Sequence, residues 1–252
     1  MRATGSEPVF DRIGVGYARR RRADPRIAAH ITAALGEARA VLDVGAGTGS
    51  YEQGDREWTA IDPSRVMIDQ RPRGSAPVVQ GVAEALPFPD DTFDAATAIL
   101  TLQHWSDPAA GMAEVRRVAR RQVILTWDAR FYAETFWLLR DYLPEVAEWE
   151  RTRATFETAC ELLPGCRTAA VPVPYDCVDG FGAAYWRRPE AYLDAEVRGS
   201  ISGIALLGDG VAERAMRQLR GDLESGTWHR RNEDLLEVDE LDVGYRLVVA
   251  ER

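Results

Sequence analysis

Lysine is absent from this chain. All 31 basic residues are arginine, a pattern that reads as genome base composition, not mechanism. It still excludes one kind of nucleotide site, because a Walker phosphate loop needs Gly-Lys-Ser/Thr. Cysteine is scarce and odd in number: Cys160, Cys166 and Cys177 have no metal spacing. Free thiols in a reducing compartment are expected in preference to a Cys160–Cys166 bridge. Histidine is limited to His30, His104 and His229, and no His/Cys/Asp grouping has metal-ligand spacing, so no metal is expected. No apolar run approaches the roughly 18–20 residues of a membrane span, so no membrane partner is expected. The start, MRATGSEPVFDRIG, lacks the apolar core of a signal peptide, and a cytoplasmic location follows as an expectation. Positive charge is in deficit: a net charge of -9 argues against a nucleic-acid partner. The local exception is the run Arg19–Arg22. It reads as a solvated basic patch or, functionally, as part of a lid that brings one arginine to an anionic group.

What is present is a globular composition, 46% hydrophobic and 28% charged over 252 residues. That is enough for one large domain with a substantial core. Short apolar runs alternate with helical stretches. Val41–Val44, Trp58–Ile61, Pro77–Gln80, Phe93–Leu102 and Gln122–Trp127 read as strands. Pro25–Leu35, Ser64–Gln70 and Asp107–Ala119 read as the intervening helices. This alternation implies an α/β fold, a parallel sheet with helices on both faces. Further on, Phe131–Tyr142, Glu148–Leu163 and Gly210–Leu223 read as helices, and Thr168–Tyr175 and Tyr245–Glu251 as strands. No repeat, low-complexity segment or clean linker divides the chain, so the Gly- and aromatic-rich middle of the second half is taken as an insertion into one domain.

The stretch AVLDVGAGTGSYEQGDREWTAIDPS (residues 40–64) carries the chemistry. A glycine-rich turn after a first strand lets the backbone approach a ligand closely. The dinucleotide fingerprint wants Gly or Ala at position 50, which is Ser. The G-x-G-x-G spacing of Gly45, Gly47 and Gly49 suits a ligand without pyrophosphate. Asp62 ends the second strand, where an acid accepts from both ribose hydroxyls. The segment GVAEALPFPDDTFD (81–94) offers backbone N–H groups beside an acid, suited to an adenine edge. TLQHW (101–105) lies at the carboxyl end of the long apolar run, where open α/β sheets bind ligands.

Together with VLDVGAGTG (41–49) and AIDPS (60–64), these motifs give a chain that resembles the class I S-adenosylmethionine-dependent methyltransferases, in the group that includes small-molecule and quinone methyltransferases. The resemblance is strong over residues 40–128. It implies a Rossmann-like, seven-stranded, mostly parallel sheet with helices on both faces and an antiparallel last strand. It divides the single domain 1–252 into a helical lid (1–35), a cofactor-binding core (40–128), a region of helices, sixth strand and aromatic-rich substrate insertion (129–244), and the last strand (245–252). The implied cofactor is S-adenosyl-L-methionine. By the same resemblance Gly45, Ala46 and Gly47 pass beside its methionine part, with Asp43 supporting the ammonium. Asp62 holds the ribose, Pro63 and Met67 flank the adenine, and Ala83 and Glu84 meet its edge. Leu100 offers a carbonyl to the amino group, and Tyr17 closes the lid. Two departures stand out. The position just before Ala83-Glu84, often acidic in the family, is Val82. Only Ser50–Glu57 separates the glycine loop from the next strand, room for about one helical turn at roughly 3.6 residues per turn where relatives place three. One sheet face is therefore expected to be covered by another element or another subunit.

His104 is the candidate catalytic residue, either as a general base, given an ordinary imidazole pKa of about 6.5, or as a positioning group. His30 and His229 are read as structural. Trp105, Trp127, Phe131, Tyr132, Trp137, Tyr175, Tyr185 and Trp186 concentrate where an acceptor pocket is expected. His104, Trp105, Trp127, Tyr185 and Trp186 are taken as substrate contacts, and the acceptor as a small apolar or aromatic metabolite, as in secondary metabolism. An alternative is an enzyme of the same fold that binds the cofactor but catalyses a non-methylating step such as cyclisation. A monomer or a homodimer is expected.

Overall fold

The computed structural model of the protein describes residues 8–14, 16–153, 155–207 and 209–252, without the side chains of Ile13 and Asp209. The elements in chain order are helices α1 (Val9–Ile13) and α2 (Pro25–Leu35), strands β1 (Ala40–Val44) and β2 (Glu57–Asp62), helix α3 (Arg65–Asp69), strands β3 (Val78–Gln80) and β4 (Phe93–Ile99), helix α4 (Pro108–Val118) and strand β5 (Ala119–Trp127). Then come helices α5 (Ala129–Thr135), α6 (Pro144–Arg151) and α7 (Thr155–Leu162), and strands β6 (Arg167–Ala170) and β7 (Val173–Pro174). Helices α8 (Ala195–Gly199), α9 (Ser202–Ala205), α10 (Asp209–Glu224) and α11 (Thr227–Arg231) lead to β8 (Glu240–Leu241) and β9 (Tyr245–Glu251).

Seven strands form one sheet in the order β3-β2-β1-β4-β5-β9-β6. β3, β2, β1, β4 and β5 run parallel, and β9 is antiparallel to both of its neighbours. The expected Rossmann-like sheet with an antiparallel last strand is the one found. Strands covered on both faces read as continuous apolar runs, and β1 and β4 show why. Val41 and Ala95 join one buried cluster, while Leu42, Ala96 and Ala98 join the other.

α4 and α7 cover the second face through Met112, Val115, Val118 and Ala159. The first face is covered by α2, whose Ile27, Ile31 and Leu35 are almost wholly buried. At about 1.5–3 kcal/mol per fully buried Ile or Leu, that stripe alone secures the helix. Its start is fixed by Asp24, which accepts from the Arg26 N–H at 3.0 Å, and by Pro25 in the first turn. α2 therefore belongs to the core, and among the described residues of the expected lid, 1–35, the stretch around α1 and Tyr17 overhangs a cavity; residues 1–7 lie outside the described residues. No helix forms between Ser50 and Arg56. Tyr51 packs instead into the cluster beneath α2, and its hydroxyl donates to Asp179 at 2.8 Å. The same chain thus supplies the cover that the missing helix leaves out.

Two expected helices are broken. Phe131–Tyr142 divides at Phe136, which is extended (φ −77°, ψ 108°), into α5 and a π turn over Leu138–Tyr142. Glu148–Leu163 divides into α6, which already starts at Pro144, and α7. The expected strand Thr168–Tyr175 is shared between β6 of the main sheet and β7, which pairs with β8 in a separate two-stranded ribbon. Among the described residues no helix is long and apolar enough to cross a membrane.

Candidate active site

Two adjoining cavities open at the carboxyl ends of β1, β2 and β4. The first is lined by Asp43, the 45–48 loop, Ser50, Tyr51, Asp62, Pro63, Ser64, Met67 and Thr101. The second is lined mainly by aromatic and aliphatic side chains, including Trp127, Tyr132, Phe136, Leu139, Phe181 and Ile204. Phe10, Tyr17, Arg21, Leu100 and His104 line both.

The glycine loop is held from below. Gly45 and Ala46 donate to the Ile61 carbonyl at 2.8 and 3.1 Å, locking the loop to the end of β2. Gly45 has φ +71°, and a Cβ there would collide with the Thr101 side chain, so glycine is required twice over. Gly47 donates to Asp62 Oδ2 at 2.7 Å, and Ser64 N–H donates to Oδ1 at 2.8 Å. Each carboxylate oxygen keeps further lone-pair capacity for a ligand. Beneath the loop lies a buried ion pair, Arg71 Nη2 to Glu52 Oε2 at 2.5 Å, with both side chains 4% exposed. Arg71 also donates to the Gly47 carbonyl at 3.3 Å.

Asp43 is buried and accepts from Thr97 Oγ1 at 2.8 Å, with no ion-pair partner among the described residues. Burial, reinforced by the nearby Glu52 carboxylate, pushes its pKa up to about 7. Asp62 is also raised, by burial, against the pull of its two backbone donors.

Leu100 stands at the junction of the cavities with φ +52°, a left-handed conformation rare for a branched residue and concentrated at functional sites. Its N–H is tied to the Leu125 carbonyl at 2.8 Å, and its carbonyl accepts from Gln103 Nε2 at 2.6 Å. His104 follows on a 3₁₀ turn and packs edge-on against Phe10, with centroids 5.0 Å apart. Its Nε2 is buried with no partner. Burial, and then the charge of Arg153, lower its pKa to about 4, so the ring is neutral near pH 7. Tyr17 caps the junction, its hydroxyl accepting from Arg21. Arg21 pairs with buried Asp179 at 2.5 Å and so ties this lid to the insertion. Of the arginine run, only Arg21 reaches the cavities; Arg20 pairs with Asp194 and Glu196, and Arg19 and Arg22 are exposed.

Tyr17, Asp43, Gly45, Ala46, Gly47, Asp62, Pro63, Met67, Leu100, His104 and Trp127 are brought to the cavities. Five other expected contacts are not. Ala83 is packed in the core under α4, and Glu84 accepts from Ser106 and Asp107 N–H groups at 2.6 and 3.1 Å, capping the neighbouring loop. Trp105 lies over Gly111 on the outer side. Trp186 is fully buried, with its indole N–H given to the Val173 carbonyl at 2.9 Å. Tyr185 stacks under Arg188 and against Tyr192. Val82, the departure from the family's acid, is exposed. Cavity residues not singled out from sequence include Phe10, Tyr51, Gln103, Phe136, Phe181 and Glu150. For Glu150 a signal existed, an acid at the apolar helical spacing set by Val146 and Ala147.

A methyltransferase-domain family model matches residues 42–126. A crystal structure of a candidate methyltransferase from an antibiotic biosynthesis pathway of Anabaena variabilis superposes with TM-score 0.85 at 32% identity, covering 92% of this chain and 99% of that one. The chain is also 32% identical to the rice 2-methyl-6-phytyl-1,4-hydroquinone methyltransferase 2 over 130 residues, 43% of this chain and 36% of that protein. A third relative, the demethylmenaquinone methyltransferase of Renibacterium salmoninarum, is 37% identical over 86 residues, 32% of this chain and 36% of that protein. These matches span little more than a third of the curated relatives' length. Fold, motifs and near-complete overlap with the Anabaena protein define the class: this chain belongs to the class I S-adenosylmethionine-dependent methyltransferases.

The residues present fit that family's cofactor. An adenosine bearing a cis-diol and a cationic tail needs a partly satisfied carboxylate, an uncompensated buried acid and backbone free to approach. Asp62, Asp43 and Gly45–Gly47 offer these in one cavity.

Proposed function

We propose that the chain transfers a methyl group from S-adenosylmethionine to a small molecule with a largely apolar body. The observation that carries this reading is the junction: a polar cavity with cofactor-type ligands and an aromatic cavity share five lining residues. When bound, S-adenosylmethionine supplies a sulfonium-activated methyl group for in-line displacement. Asp62 holds the ribose diol, Asp43 faces the cationic tail, and Pro63 and Met67 flank the adenine, Met67 as a soft apolar surface. Leu100 and His104 set the angle at which the acceptor meets the donor, which is the positioning contribution of the protein. With its pKa near 4, His104 acts as a hydrogen-bond acceptor that orients the acceptor and is a weak proton acceptor. Phe10, Tyr17 and Arg21 exclude water above the junction. The rice and Renibacterium relatives are named for hydroquinone and demethylmenaquinone substrates, which supports a small ring-bearing acceptor here.

The test is incubation with radiolabelled methyl donor and a panel of phenols, hydroquinones and amines, followed by mass spectrometry. Methylated product that depends on Asp62 supports the reading. Tight cofactor binding with no product from any panel member would refute it.

A further inference from the structure

The aromatic cavity has one buried acid on its wall. Glu150, on the last turn of α6, is 5% exposed, and its Oε2 accepts from Trp127 Nε1 at 3.0 Å. Oε1 has no hydrogen-bond partner and the carboxyl has no ion-pair partner among the described residues. Arg153, whose charge partly offsets the burial of this carboxyl, makes no hydrogen bond to it and is committed to the Gln103 carbonyl at 2.8 Å and to the face of Trp149. Two more polar side-chain atoms of that cavity wall lack partners among the described residues. Gln103 must point Nε2 at the Leu100 carbonyl, 2.6 Å away, which fixes Oε1 as the free atom, and Oε1 is buried and unpaired. His104 Nε2 is likewise buried and unpaired.

Buried polar atoms are nearly always satisfied, and each exception calls for an explanation. Gln103 Oε1 is such an orphan acceptor, and it belongs to the same cavity wall as the Glu150 carboxyl, whose Oε1 also lacks a donor. A carboxyl held in an apolar site without an ion-pair partner is costly until one arrives. Around it Trp127, Tyr132, Phe136 and Phe181 present aromatic surface, whose ring faces attract cations. Burial raises the Glu150 pKa, against the Trp127 N–H and Arg153, and a bound cation would reverse that shift.

We propose that Glu150 anchors a protonated amine of the acceptor, so that the pocket selects small amines with an apolar or aromatic body. Glu150 lines only the aromatic cavity, whereas His104 and Leu100 line both. The ammonium therefore sits away from the junction. Having no lone pair, it is the handle; the methylated atom is a second nucleophile of the same molecule, directed toward Leu100 and His104.

This inference rests on the aromatic cavity being the acceptor pocket. Its test is calorimetry on wild type and Glu150→Gln, both saturated with S-adenosylhomocysteine, using 2-phenylethylamine, 2-phenylethanol and ethylbenzene as size-matched probes. Glutamine keeps an acceptor for the Trp127 N–H and removes the charge. In wild type the amine should bind at least about tenfold more tightly than the other two, as a charge-assisted bond beside ring faces implies. That preference should vanish in the variant, while S-adenosylhomocysteine affinity stays the same in both. Equal binding of the three probes, no binding by any, or a preference that survives Glu150→Gln overturns the inference. An alcohol that matches the amine overturns it in favour of a neutral donor. Failure of S-adenosylhomocysteine to bind wild type would bring down the cofactor reading and this inference together; normal binding with indifferent probes brings down this inference alone.

Discussion

If Asp43 faces the cationic tail as proposed, cofactor binding is a proton-linked event. In the free protein the Asp43 carboxyl titrates at about 7, because burial and the nearby Glu52 carboxylate outweigh the Thr97 hydrogen bond and the charge of Arg71. A cofactor carrying an ammonium and a sulfonium beside it favours the carboxylate. The sign follows directly: the free protein holds a proton that the complex does not, so affinity rises with pH and levels off above about 7. If binding restores an ordinary carboxylate pKa of about 3.9, affinity at pH 5.5 should be roughly thirtyfold weaker than at pH 8, or about 2 kcal/mol. His104, at about 4, contributes little over that range. The assay is titration calorimetry with S-adenosylmethionine at several pH values, in buffers of different ionisation enthalpy, which counts the released proton. Asp43→Asn should flatten the profile. A flat profile in wild type, or one that persists in Asp43→Asn, refutes the placement of Asp43 beside the cationic tail.

Breaking the buried Arg71–Glu52 pair by Arg71→Ala should destabilise the protein by about 3–5 kcal/mol, because it leaves a buried charge unpaired. Denaturant unfolding should show a smaller loss for an Arg71→Met, Glu52→Leu double variant. Trp186→Ala should cost about 3–5 kcal/mol as a core truncation while leaving the KM for the acceptor unchanged at temperatures where it is folded; a raised KM would return Trp186 to the pocket. For His104, kcat/KM for the acceptor at saturating S-adenosylmethionine should show no limb near the ordinary imidazole pKa of about 6.5 that His104→Ala removes, since the ring titrates at about 4. A limb in that range, lost in His104→Ala, would reinstate the general-base role.

The part of the site built from local chain geometry was legible in the sequence. The 40–64 stretch fixes a strand, a turn that only glycine can make and a strand ending in Asp62, all close in sequence, so spacing alone predicts their meeting. The aromatic cavity was not legible in the same way. Its walls come from α5, α6, α9, β9 and the loop around Phe181, brought together by tertiary packing. An aromatic residue there reads equally as wall or as core. Trp186 shows the ambiguity: its N–H is satisfied by Val173, a partner no local pattern reveals. The break in the expected 131–142 helix was equally hidden: Phe136 is extended there and lines the cavity, a tertiary position that helical spacing does not reveal. Glu150 was the readable exception, an acid standing where the α6 stripe calls for an apolar residue.

The central claim is that the glycine-loop cavity holds S-adenosylmethionine through Asp62. The most direct measurement is calorimetric titration of S-adenosylhomocysteine into wild type and Asp62→Ala, with thermal melts to establish that both are folded. One site per chain is predicted in wild type, with affinity at least about tenfold weaker in Asp62→Ala, the loss expected for hydrogen bonds to a charged acceptor. No binding to wild type, or an affinity unchanged by Asp62→Ala, would contradict the account.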